Sequence, residues 1–227
     1  MKKALTYDDI GIVPKYSEIL SRSDINLTTR FTKNTEITIP VVSSPMDTVT
    51  GYEMALEMMD WGGVGVLHRF NTIEEQARMM NELHTEWDKF FGIGKDFSSY
   101  EETWEKWNSK FNGNLLSSQL TPNKDDWDDL KEDMSFVDEM ETMNKRWRRK
   151  PLCAAIGVTG DYLERAQELV KNGCNVLLID IAHGHHVLMK NAIEELKNEF
   201  GRNVEIIGGS IATKEAAKDL CDWGVDG

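Results

Sequence analysis

Asp180 stands where a short apolar strand ends, within the run Val176–Ala182, and opens the stretch "DIAHGHH". A carboxylate there needs donors. The two hydroxyls of a ribose would serve; so would a helix cap or a cationic side chain. The histidines that follow, His183, His185 and His186, raise metal ligation, but no second carboxylate–histidine pair stands nearby beyond Asp180. A turn that starts a helix often presents such rings to solvent, so no metal is expected. Four other turns follow apolar runs in the same way: "SSPMDT" (43–48), "HR" (68–69), "GVTGD" (157–161) and "GGSIAT" (208–213). Their small and polar residues let backbone approach a ligand closely, and five such turns in register point to a polar ligand. "FGIGKDFSS" (91–99) lacks the flanking strand and the spacing of a glycine-rich phosphate loop.

The elements that must position these turns alternate. Apolar runs at Ile39–Met46 and Val64–His68 lead to helical patterns at Tyr52–Trp61 and Thr72–Leu83, with Asn71 or Thr72 as the cap of the second. Three more units follow: Leu152–Val158 with Asp161–Asn172, Val176–Ala182 with His186–Phe200, and Glu205–Ile211 with Thr213–Trp223. Gly62, Gly173, Gly201 and Gly224 mark helix stops. "VLLIDIA" and "CAAIGV" are apolar on both faces, as in strands covered on both sides; Val41, Val66, Ile156 and Ile179 are candidates for one face or the other. Five strand–helix units in series predict a parallel sheet with right-handed crossovers. A doubly wound sheet and a (β/α)8 barrel both satisfy that pattern.

Residues 84–150 differ in kind, holding five of the seven tryptophans, acidic strings and a closing "KRWRRK". Short helices are expected at 99–111 and 124–147, the latter with Trp127, Leu130, Met134, Val137 and Met140 on a packing face. The basic run suits a helix C-terminus better than a phosphate site. The expected division is therefore 1–83 and 151–227 as barrel-type segments, with 84–150 as a helical insert.

A net charge of −13 argues against general affinity for nucleic acid or anionic membrane, and no apolar run approaches the ~20 residues of a membrane span. The N-terminus does not read as a signal peptide. Cys153, Cys174 and Cys221 are odd in number, widely spaced and without zinc-type spacing. They read as reduced thiols of a cytoplasmic protein.

"LTYDDIGIVP", "TIPVVSSPMDTVT", "GGVGVLHR" with "EEQA", "AAIGVTGD", "LLIDIAHGHH" and "IIGGSIAT" with "GVD" resemble, in order and spacing, inosine-5'-monophosphate (IMP) dehydrogenase. The likeness covers about Leu5–Leu83 and Leu152–Gly227. It implies a (β/α)8 barrel of which about five strands are present, with the insert after the second unit. It implies that Ser44 and Met46 line the IMP pocket and that Asp180 holds the ribose of the nicotinamide half of NAD. Ser210 stands where the family commonly has an asparagine, a shorter reach to the substrate. The insert is too short for the paired CBS modules usual there. GMP reductase, the sister enzyme, has a different third-strand motif and lacks the full "LTYDD" start.

The implied reaction oxidises IMP to xanthosine monophosphate through a cysteine adduct at the purine C2, with hydride passing to NAD. In the family that cysteine and a monovalent-cation (K+) site follow the sixth strand. None of the three cysteines here matches its position, so no catalytic residue is assigned. The chain alone is expected to be inactive and to need a complementing C-terminal barrel fragment. A homotetramer is implied for the complete enzyme. The alternatives are a GMP reductase-like enzyme and a non-catalytic nucleotide-binding module.

Overall fold

The computed structural model describes residues 7–90 and 151–227. An antiparallel hairpin, β1 (Thr29–Arg30) with β2 (Glu36–Ile37), precedes five parallel strands: β3 (Val42–Ser43), β4 (Val64–Leu67), β5 (Cys153–Ile156), β6 (Val176–Ile179) and β7 (Glu205–Gly208). Their order in the sheet is the order in sequence, β3-β4-β5-β6-β7. A doubly wound sheet reverses its strand order at a switch point; this sheet does not. The sheet therefore follows the course of a (β/α)8 barrel through five of its strands, an α/β fold.

Each strand is followed by a helix: α1 (Tyr52–Asp60), α2 (Ile73–Phe90), α3 (Tyr162–Lys171), α4 (Val187–Phe200) and α5 (Lys214–Trp223). The five strand–helix units expected from periodicity all form. The strands end one to three residues earlier than their apolar runs, because the last residues of each run turn into the loop. Helix α2 instead runs on to Phe90, past Leu83. Thr72 caps it, its hydroxyl accepting from the Glu75 N–H at 3.1 Å. The four glycine stops all have positive φ. The helices expected at 99–111 and 124–147 lie outside the described residues.

Side chains alternate across the strands. Val64, Val66, Cys153, Ala155 and Val176 form one buried cluster on the inner face. Leu67, Ala154, Ile156, Leu177, Ile179 and Ile206 face the helices, where Met80, Leu169, Met189, Ile193 and Leu196 complete the main core. Val66 thus points inward, Ile156 and Ile179 outward, and Val41 is half exposed. Gly65 lets α1 lie directly on β4, since a Cβ there would come within 2.4 Å of the Ala55 Cα.

The hairpin covers the end of the sheet where the strands begin. Ile37 and Phe31 pack on the inner cluster, and the loop between β1 and β2 is tied to Glu205, the first residue of β7. The Glu205 carboxylate accepts from the Thr32 hydroxyl (2.7 Å), the Thr35 hydroxyl (2.5 Å), the Asn34 backbone N–H (2.8 Å) and the Asn34 side-chain amide (3.0 Å). Burial alone would raise its pKa, but the hydrogen bonds from Thr35, Thr32 and Asn34 outweigh that and hold it below the ordinary carboxylate value.

Candidate functional site at the C-terminal ends of the strands

The loops leaving the strands meet at the opposite end, where ligands of parallel α/β folds bind. After β3 the chain turns sharply, with the Met46 N–H donating to the Ser44 carbonyl at 2.8 Å. Thr50, fully buried, holds this turn from beneath. Its hydroxyl donates to the Ser44 carbonyl at 2.6 Å and lies 2.9 Å from the Ser43 hydroxyl. Because Thr50 and not the turn's own side chains satisfies the backbone, the side chains of Ser44 and Met46 are left exposed. The Thr50 carbonyl accepts from the His68 N–H (3.3 Å), which joins this loop to the next.

That next loop carries Arg69. Its Nε donates to Asp180 Oδ2 at 2.9 Å, reaching from the end of β4 past β5 to the end of β6. The guanidinium carbon lies 5.2 Å from the centroid of the Phe70 ring. Phe70 in turn stacks on His68, with centroids 6.4 Å apart and planes 20° apart. The two side chains of the pair are 35% and 32% exposed, so the pair is open to solvent at the rim.

The loops after β6 and β7 are locked backbone to backbone. The Gly184 N–H donates to the Ser210 carbonyl at 3.1 Å. A Cβ on Gly184 would stand 1.8 Å from the Gly209 carbonyl oxygen, so only glycine allows this approach. Ser210 is exposed and has φ 56°, among the described residues the one left-handed conformation outside glycine. Such strain is held by its surroundings and is commonest where function requires it.

The histidines of "HGHH" take separate places. His185 Nε2 meets Asp219 Oδ2 of α5 at 2.9 Å and its ring lies 6.0 Å from that of Trp223. His186 caps α4, its Nδ1 accepting from the Leu188 N–H at 3.1 Å. His183 is exposed and stands edge-on to His186. Among the described residues no group of three or more His, Cys, Asp and Glu could hold a metal ion. No described helix is long and apolar enough to cross a membrane.

Beneath the rim a second network was not legible as such. The buried Gln76 amide donates to the carbonyls of Ala155 (2.9 Å) and Leu67 (3.3 Å), near the C-terminal ends of β5 and β4. Its oxygen accepts from Arg165 Nη1 at 2.9 Å, and Arg165 Nη2 reaches the Asn71 carbonyl and Asp161. Gln76 is the glutamine of "EEQA", which offers a motif but no hint of a partner. Cys153 and Cys174 are buried, and burial pushes both thiols up, Cys174 to about 12. Neither thiol suits nucleophilic attack.

The four residues singled out for binding thus stand on three parts of the same rim: Ser44 and Met46 after β3, Asp180 after β6, Ser210 after β7. Hydrogen bonds from His68 to Thr50, Arg69 to Asp180 and Gly184 to Ser210 link those loops in sequence, though no direct bond joins the four side chains. A family model described as the IMP dehydrogenase / GMP reductase domain matches residues 4–227. The chain belongs to the IMP dehydrogenase / GMP reductase family. It is 33% identical over 225 residues to inosine-5'-monophosphate dehydrogenase of Borreliella burgdorferi, covering 99% of this chain and 52% of that protein. It is 29% identical over 299 residues to GMP reductase of Leishmania major, covering 100% and 61%. A crystal structure of GMP reductase from Trypanosoma brucei superposes with a TM-score of 0.68 at 27% identity, over 100% of this chain and 67% of that one. The chain spans about half the length of several of the curated relatives it matches.

Proposed function

We propose that this chain forms the part of an IMP dehydrogenase barrel that receives IMP and the nicotinamide half of NAD, in the oxidation of IMP to xanthosine monophosphate. The observation that supports this best is the placement of Asp180 in a chain matched to the family over residues 4–227. It ends an inner strand position at the rim, one-third exposed, with a single side-chain hydrogen bond among the described residues. A carboxylate with acceptor capacity to spare fits a ribose diol. NAD, when bound, supplies the hydride acceptor. The chain's own residues bind and orient: Asp180 takes the cofactor ribose, while Ser44 and Met46 flank the substrate and Ser210 reaches it from the strained turn. The nucleophilic cysteine and the remaining strands come from further sequence or a complementing fragment. Residues 1–83 and 151–227 supply the barrel segments around the 84–150 insert.

A GMP reductase reading has its own support in the relatives of that name. Joined with the C-terminal barrel part of a relative, the chain is expected to form NADH from IMP and NAD. NADPH consumption with GMP, and no reaction of IMP, would move the assignment to the reductase. Nucleotide binding without turnover in either direction would leave a binding module.

A further inference from the structure

The Arg69–Asp180 pair contributes little to the fold. An ion pair exposed by a third on both sides is worth little to stability in a solvated, salt-screened setting. Yet Arg69 is placed with care. Its Nε is spent on Asp180, and one face of the guanidinium lies by the Phe70 ring. Among the described residues neither Nη atom has a protein hydrogen-bond partner. A guanidinium fixed at Nε and open at both Nη atoms presents two donors to an anion, in the fork geometry that matches phosphate oxygens. Asp180 Oδ1 is likewise without a donor among the described residues. An acceptor for hydroxyls and a pair of donors for an anion are therefore held side by side by one hydrogen bond.

We infer that Arg69 and Asp180 form a two-part receptor for a ribose 5'-phosphate unit, with the carboxylate taking the sugar hydroxyls and the Arg69 Nη donors taking the adjacent phosphate. This rests on the proposed role of Asp180 and adds to it a residue that recognises charge. The Asp180 carboxylate already orients the guanidinium through Nε, so less ordering is needed when a phosphate arrives.

The test compares a nucleoside with its 5'-phosphate. Binding of nicotinamide riboside and of nicotinamide mononucleotide to the full chain is followed by ligand-observed NMR or calorimetry, with Arg69→Gln, Arg69→Lys and Asp180→Asn alongside. The mononucleotide is expected to bind the unaltered chain about tenfold more tightly than the riboside. Arg69→Gln should reduce that ratio to about one. Arg69→Lys, which keeps the charge and the fold, should give an intermediate ratio that falls with salt. A tenfold ratio surviving in Arg69→Gln, or equal binding of the two ligands by the unaltered chain, would overturn the inference. Loss of riboside binding in Asp180→Asn tests the Asp180 assignment by itself. If the unaltered chain binds neither ligand, the receptor and the reading beneath it both fall.

Discussion

Two carboxylates at opposite ends of the same sheet have opposite surroundings. Glu205, where β7 begins, is buried and accepts four hydrogen bonds from one short loop. Asp180, where β6 ends, is a third exposed and accepts one from a side chain. A saturated carboxylate holds structure together; one with lone pairs to spare can still accept donors from outside the chain. In a parallel α/β barrel the strand-start end is the stabilising end and the strand-finish end is the chemical one. The two acids divide along that line, although both are simply acidic residues bordering apolar runs in the sequence.

The largest effect on this contrast should come from Glu205→Ala. It leaves the buried Thr32 and Thr35 hydroxyls and the Asn34 donors without their acceptor, a loss on the order of 3 kcal/mol. Denaturant titration should show it, with NAD affinity changed little beyond the loss of folded protein. The same carboxylate sets an acid dependence. Its folded pKa lies below its unfolded one, so its contribution is whole above the unfolded value, roughly pH 4.3, and is lost as pH falls through the folded value. Stability measured against pH should therefore flatten in Glu205→Gln below that point.

Next in size is Gln76→Ala. It strips the Leu67 and Ala155 carbonyls of their donor and leaves Arg165, buried, short of an acceptor. A loss of about 2 kcal/mol is expected in the same titration. A loss under half of that would mean that the network is dispensable.

At the rim the expected order reverses. Asp180→Ala should hardly alter unfolding, because an exposed pair is worth little. It should weaken NAD binding by about tenfold to a hundredfold, the worth of charge-assisted bonds to two hydroxyls, and IMP binding far less. Equal losses for the two ligands would make Asp180 a structural residue. The smallest effect belongs to Ser210→Gly. Glycine adopts the positive φ without penalty, so stability should rise by up to ~1 kcal/mol, read as a shift of a few degrees in Tm. An unchanged or lower Tm would remove strain as the description of that turn.

The elements of the fold were legible because apolar runs and helical periodicity report burial directly. Glu205, Gln76 and Thr50 show where that legibility stops. Each is a polar residue whose partners lie on other elements: Glu205 meets residues 170–173 positions away, and Gln76 meets Ala155 and Arg165 from beyond the intervening insert. Periodicity carries no information about such pairings. The hairpin of β1 and β2 was missed for a related reason, since two-residue strands are too short to show an alternation. Asp180 can be placed at a strand end from sequence, but its partner Arg69 lies 111 positions away at the end of another strand and leaves no local trace. The choice between a doubly wound sheet and a barrel turned on strand order, which pairing decides and local composition does not.

The nucleotide is expected at the strand-finish end and not at the strand-start end. Amide hydrogen exchange of the full chain with and without saturating NAD measures this directly. Protection is expected in the loops at 68–70, 180–186 and 208–211, with the 32–35 loop around Glu205 exchanging at the same rate in both samples. Protection confined to the 32–35 loop, or spread evenly over both ends, would contradict it.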